Sequence, residues 1–84
     1  MKLQKKLPDI FDMKEACWYE EIYVVQKPIK VGTKKGGYDV TLNIDYKGKN
    51  TIEGNETYKQ NSRELENKIE EAYKYAYKRF ILGE

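Results

Sequence analysis

The 84-residue chain has no histidine, one cysteine and two prolines, and each shortage removes a class of chemistry or of structural support. Without imidazole there is no ordinary catalytic triad, no histidine acid–base catalyst and no histidine metal ligand. Cys17 alone closes no internal disulfide, and a zinc site without histidine would need several more cysteines. The apolar runs fall far short of the ~20 residues that span a bilayer. The charged N-terminus, Met1-Lys2-Leu3-Gln4-Lys5-Lys6-Leu7, leads into Pro8-Asp9 rather than into the apolar stretch of a signal peptide. These absences predict a cytoplasmic protein with no membrane association, no metal and no cofactor, its thiol reduced. It should form a single domain over 1–84, of which 1–15 is either a short helix or a flexible arm, held together by packing alone.

An excess of either charge is also missing. Sixteen Lys and Arg face fourteen Asp and Glu, for a net charge of +2, although charged residues make up 36% of the chain. A nucleic-acid-binding domain usually carries a larger basic excess or a distinctly basic face. Lys, Glu, Tyr, Asn and Ile are frequent while Arg is scarce. Those frequent residues have A/T-rich codons, which points to an AT-rich source such as a phage or mobile element of a low-GC bacterium.

What is present is strongly patterned. Leu65, Ile69, Ala72, Tyr73, Ala76, Tyr77 and Phe80 recur at three- and four-residue steps, which places them on one arc of a helix over 62–82. Asn61 or Ser62 can cap it, Asn61 with Glu64 reading as a capping-box variant, and Gly83 can close it. Its glutamates sit early and its lysines late, in favour with the helix dipole, and Glu64–Lys68 and Glu70–Lys74 have the stabilising i,i+4 order. Tyr38, Val40, Leu42, Ile44 and Tyr46 alternate with Asp39, Thr41, Asn43 and Asp45, the period-two signature of a strand over 37–46 with one buried and one wet face. Lys47-Gly48-Lys49 is a tight turn, and 50–58 returns as a third strand with Ile52 and Tyr58 inward and Gly54 marking a bulge or an edge. Upstream, Cys17 through Val25 is rich in aromatic and β-branched residues and reads as the first strand. On that reading Trp18, Ile22 and Val24 share one face and Tyr19, Tyr23 and Val25 the other. Pro28 ends its pairing or confines it to an edge, and Pro8 through Ala16 reads as a short helix. The expected fold is therefore α+β: a three-stranded antiparallel meander with a long C-terminal helix packed on one face and a short N-terminal helix.

The residues that could carry chemistry also have ordinary structural roles. Cys17 has Ala16, Trp18, Glu15 and Glu20 as neighbours, none of which would ionise a thiol. Asp39 and Asp45 lie six residues apart on one strand face, about 20 Å by strand rise, too far to act as a pair. Gly32-Thr33-Lys34-Lys35-Gly36-Gly37 lacks the register of a phosphate-binding loop, because its glycines lead into a strand and not a helix.

Two kinds of partner remain. Lys27, Lys30, Lys34, Lys35, Lys47 and Lys49 cluster at strand ends and Lys2, Lys5 and Lys6 form a basic arm, which could engage nucleic acid. The strand–strand–strand–helix order resembles the arm-type DNA-binding domains of tyrosine recombinases. With the N-terminal helix added, it also resembles the double-stranded RNA-binding domain. The resemblance stops at element order: Asp39, Asp45 and Glu53 stand on the face that would meet phosphate, and the helix opens Ser62-Arg63-Glu64-Leu65-Glu66 where the RNA-binding family has lysines.

The other partner is a protein. Eight tyrosines in a chain of this size supply the broad, amphipathic contact area common at interfaces. Trp18, Tyr19 and Tyr23, with Asp39, Asp45 and Glu53, are the candidate interface, suited to a basic, nucleic-acid-handling partner. The favoured expectation is a non-enzymatic protein-binding module, an inhibitor or adaptor acting on a host nucleic-acid-handling or defence enzyme. A small nucleic-acid-binding domain is the alternative, and self-association as a homodimer through an edge strand or the tyrosine face is a third arrangement.

Overall fold

The computed structural model describes residues 9–29 and 39–84. In chain order these form α1 (Ile10–Tyr19), β1 (Ile22–Ile29), β2 (Asp39–Tyr46), β3 (Lys49–Glu53), β4 (Tyr58–Lys59) and α2 (Arg63–Ala76). The last helix runs on as a π-helical turn over Tyr77–Ile81. The fold is α+β, an antiparallel sheet in the order β1-β2-β3 with β4 also pairing β2. Lysines 2, 5, 6, 30, 34 and 35, together with Leu7 and Tyr38, lie outside the described residues.

The alternation along β2 places Val40, Leu42 and Ile44 in the core, all buried. They meet the apolar arc of α2 in two clusters. Ile44 packs with Cys17, Ile22, Tyr73 and Ala76; Val40 and Leu42 pack with Leu65. Val24 and Ile69 touch both clusters and join them.

The hairpin between β2 and β3 turns through Lys47 (φ 53°) and Gly48 (φ 82°), with Tyr46 opposite Lys49. Two consecutive positive φ angles make a type I′ turn, whose twist matches that of the strands it joins.

The third strand is split. β3 pairs with residues 43–46 of β2 and β4 with Asp39 and Val40, leaving 54–57 unpaired between them. Gly54 lies against the Leu42 carbonyl so closely that a Cβ there would collide with it. Its N–H donates to Asn43 Oδ1 at 3.2 Å. This contact also corrects the expectation that the second face of β2 is simply wet. Asn43 and Thr41 are only 8% and 6% exposed, and Gly54 packs beside both side chains.

The N-terminal half departs most from expectation. Cys17, Trp18 and Tyr19 belong to α1 and not to a strand beginning at Cys17; β1 starts at Ile22. Their intrinsic preference for strands is overridden because Met13 and Cys17, one turn apart, form a buried helical stripe. Asp9 caps the helix, accepting from the Asp12 N–H at 3.0 Å. Glu21, at φ 61°, ends it and starts the strand. β1 pairs with β2 through Ile29, and Pro28 is accommodated because it sits at an edge position whose N–H would point away from β2. The same parity turns the Val24 N–H outward.

The C-terminal helix begins at Ser62, whose Oγ accepts from the Leu65 N–H at 3.1 Å. Asn61 instead takes a left-handed φ of 61° before the cap, so the Asn61–Glu64 capping box does not form. Lys68 pairs with Glu71 at 3.4 Å rather than with Glu64. At the far end the Leu82 N–H reaches the Tyr77 carbonyl, and Gly83 (φ 77°) lets the Glu84 N–H close on the Lys78 carbonyl at 2.8 Å. The wide turn brings both Phe80 and Ile81 to the core, with Phe80 stacked on Tyr46 at 4.8 Å between ring centroids.

Replacing Gly54 by alanine forces its backbone away from Leu42. The expected loss is about 1–3 kcal/mol, as for other overpacked sites, read as a lower urea midpoint with an unchanged slope. Ser62→Ala, which removes the cap, should cost about 1 kcal/mol in the same measurement.

Candidate functional site

The aromatic residues singled out in the sequence converge on the corner where α1 passes into β1. Within Trp18–Tyr23, Ile22 alone is buried. Tyr19 is 87% exposed, Tyr23 45% and Trp18 44%, and Glu20 and Glu21 stand exposed between them. Tyr19 and Tyr23 do not share a strand face, because Tyr19 is helical. Tyr19 projects from the end of α1, while Tyr23 stands on the sheet face turned away from α2, beside Val25 and opposite Asp45. Among the described residues of the N-terminal segment, Ile10 and Met13 turn inward and Phe11 is exposed, so none of these three covers the corner.

What holds the corner is Tyr73. Its hydroxyl oxygen accepts from Trp18 Nε1 at 3.0 Å and from the Val24 backbone N–H at 3.2 Å. The Trp18 ring meets the Tyr73 ring edge-on, 6.2 Å between centroids at 88°, and Lys14 Nζ lies 5.8 Å from the centre of the same ring. One buried side chain of α2 thus fixes the indole of α1 and satisfies an outward donor of β1. The indole is immobilised yet keeps much of its surface free.

Trp18 and Tyr19 also line a concavity of about 380 Å³ together with Glu15. Glu15 precedes Trp18 by three residues and Tyr19 by four, which makes all three neighbours on the helix surface. Reading Cys17 onward as a strand separated Glu15 from the two rings; the i, i+3, i+4 spacing is the signal that would have joined them.

The acidic candidates are not brought together. Asp45 lies opposite Tyr23, and Asp39 is at the far end of β2 opposite Ile29 and Lys59. Glu53 lies across from Asn43 and accepts from the Asn50 side chain at 3.2 Å. Of the lysines, Lys27 is opposite Thr41, whereas Lys47 and Lys49 belong to the hairpin at the other end of β2, about 20 Å away by strand rise. Lys47 Nζ sits 5.6 Å from the Tyr46 ring centre.

Cys17 is wholly buried, its Sγ 3.9 Å from the Tyr73 carbonyl. Burial pushes its thiol up from 9.0 to about 11. Among the described residues no three Cys, Asp or Glu side chains cluster as metal ligands would, and no helix is long and apolar enough to cross a membrane.

No family model, curated protein or solved structure matches the chain.

Tyr73→Phe should lower stability by about 1–3 kcal/mol, since it strips an acceptor from two donors, and should shift Trp18 emission to the red as the indole loosens. Cys17 should resist a thiol reagent at pH 8 until the protein is unfolded. The folded thiol stays protonated where the unfolded one ionises, so above pH 9 the unfolded state holds fewer protons. Stability should accordingly decline as pH rises from 9 towards about 11, measured by denaturant titration across that range.

Proposed function

We propose that the protein is a small binding module without catalytic activity of its own, an inhibitor or adaptor that works by occupying a partner protein's surface. The observation that carries this reading is the α1–β1 corner, where three exposed aromatic residues and two exposed glutamates occupy six consecutive positions. Aromatic side chains offer large contact area at small entropic cost. Trp18 is already locked by its bond to Tyr73, so little ordering remains to oppose association. The nearby Asp45 extends the acidic character of the corner onto the sheet.

Such a surface suits a basic partner. A nucleic-acid-handling or defence enzyme of a bacterial host fits that description, and the AT-rich residue usage accords with a phage or mobile-element protein directed at one. The action is in the cytoplasm. The lone cysteine offers no nucleophile, because burial suppresses its ionisation.

A tagged copy should retain a stoichiometric protein partner from a low-GC bacterial lysate. Tyr19→Ala combined with Tyr23→Ala should weaken that complex by roughly tenfold or more while leaving circular dichroism and the urea midpoint near their original values. Equal retention by the double variant would remove the corner from the interface. A salt-sensitive gel shift with DNA or RNA, lost on neutralising Lys30, Lys34 and Lys35, would favour nucleic acid instead.

A further inference from the structure

We propose that the exposed helix face carrying Glu15, Trp18 and Tyr19 is a receptor for a guanidinium group, occupied in the complex by an arginine side chain of the partner. The inference rests on the protein-binding reading above and names the chemistry that the corner recognises.

The chemistry of the lining points to a cation. An indole and a phenol present electron-rich faces, and tryptophan is the strongest aromatic partner for a positive group. Glu15 stands beside both rings on one helix face, where its carboxylate can accept from the same group that stacks on them. Among the described residues Glu15 forms no ion pair. Asp12, Glu20 and Glu21 are exposed on α1 and the turn that follows, adding to the negative field. The one basic residue of α1, Lys14, lies one turn before Trp18, with its ammonium over the Tyr73 ring, 5.8 Å from the ring centre.

Shape and rigidity favour arginine among cations. A planar guanidinium can stack on an indole and donate in a fork to a carboxylate at once, which an ammonium cannot. The indole is held edge-on to Tyr73 by a 3.0 Å hydrogen bond, which leaves its orientation set before any ligand arrives.

Trp18 is the sole tryptophan, so its emission reports on the site directly. N-acetylarginine amide should change that emission saturably, with a dissociation constant on the order of millimolar for so small a probe. The uncharged isostere N-acetylcitrulline amide should produce no saturable change. Glu15→Gln, an exposed substitution compatible with the helix, should weaken the arginine response by roughly five- to tenfold with unchanged circular dichroism. Equal responses to the arginine and citrulline probes, or an undiminished response in Glu15→Gln, would overturn the assignment. The two readings can fail separately. A partner complex that survives Glu15→Gln at full affinity removes the arginine receptor and leaves the binding module standing. An arginine response without any protein complex does the reverse.

Discussion

The hydroxyl of Tyr73 is the point on which the two halves of the molecule depend. It draws together an indole 55 positions earlier in the chain and a backbone donor of the first strand. The same residue packs its ring against Cys17, Ile22 and Ile44. Without that oxygen, α1 would lose its polar anchor to α2, and the Val24 N–H would lack a partner in a partly enclosed place. Desolvated donors left in that condition are costly, which makes this single acceptor more consequential than the exposed Lys68–Glu71 pair. The position and stiffness of Trp18 follow from it, and so does the character of the α1–β1 corner.

The amino-acid pattern made some of this legible. The helix read over 62–82 and the strand read over 37–46 stood out because each has one period sustained over many residues, 3.6 for one and 2 for the other. The Lys47–Gly48 turn was legible from its glycine, whereas Gly54, read as a bulge or an edge within one strand over 50–58, instead marks where that strand splits into β3 and β4. The extent of α1 was not. Cys17, Trp18 and Tyr19 favour strands locally, and only the burial of Met13 with Cys17 against the rest of the fold makes the helix continue to Tyr19. Local preference of this size yields to packing.

The candidate site was legible as a list of residues and illegible as an arrangement. Trp18, Tyr19 and Tyr23 are exposed, and a helix end and a strand face present them. That change of geometry is what brings Glu15 to the rings. Similarly, the role of Tyr73 as an acceptor could not be read from its place on an apolar arc. Periodicity reports which way a side chain faces, but not what its polar tip meets. Thr41 and Asn43 illustrate the same limit, since alternation sends them outward and the close approach of Gly54 encloses them.

Among the described residues no strand pairs with the outer margin of β1. Between Val24 and Pro28, only Gln26 retains an outward N–H to offer a neighbouring chain: the Val24 donor is taken by Tyr73, and proline has none. A second polypeptide adding itself as a strand there would find the ladder interrupted on both sides of that residue. Natural sheets resist fibril-like stacking by such blunting of their borders. Here the residue that orients the indole also occupies one of the outward donors of the first strand.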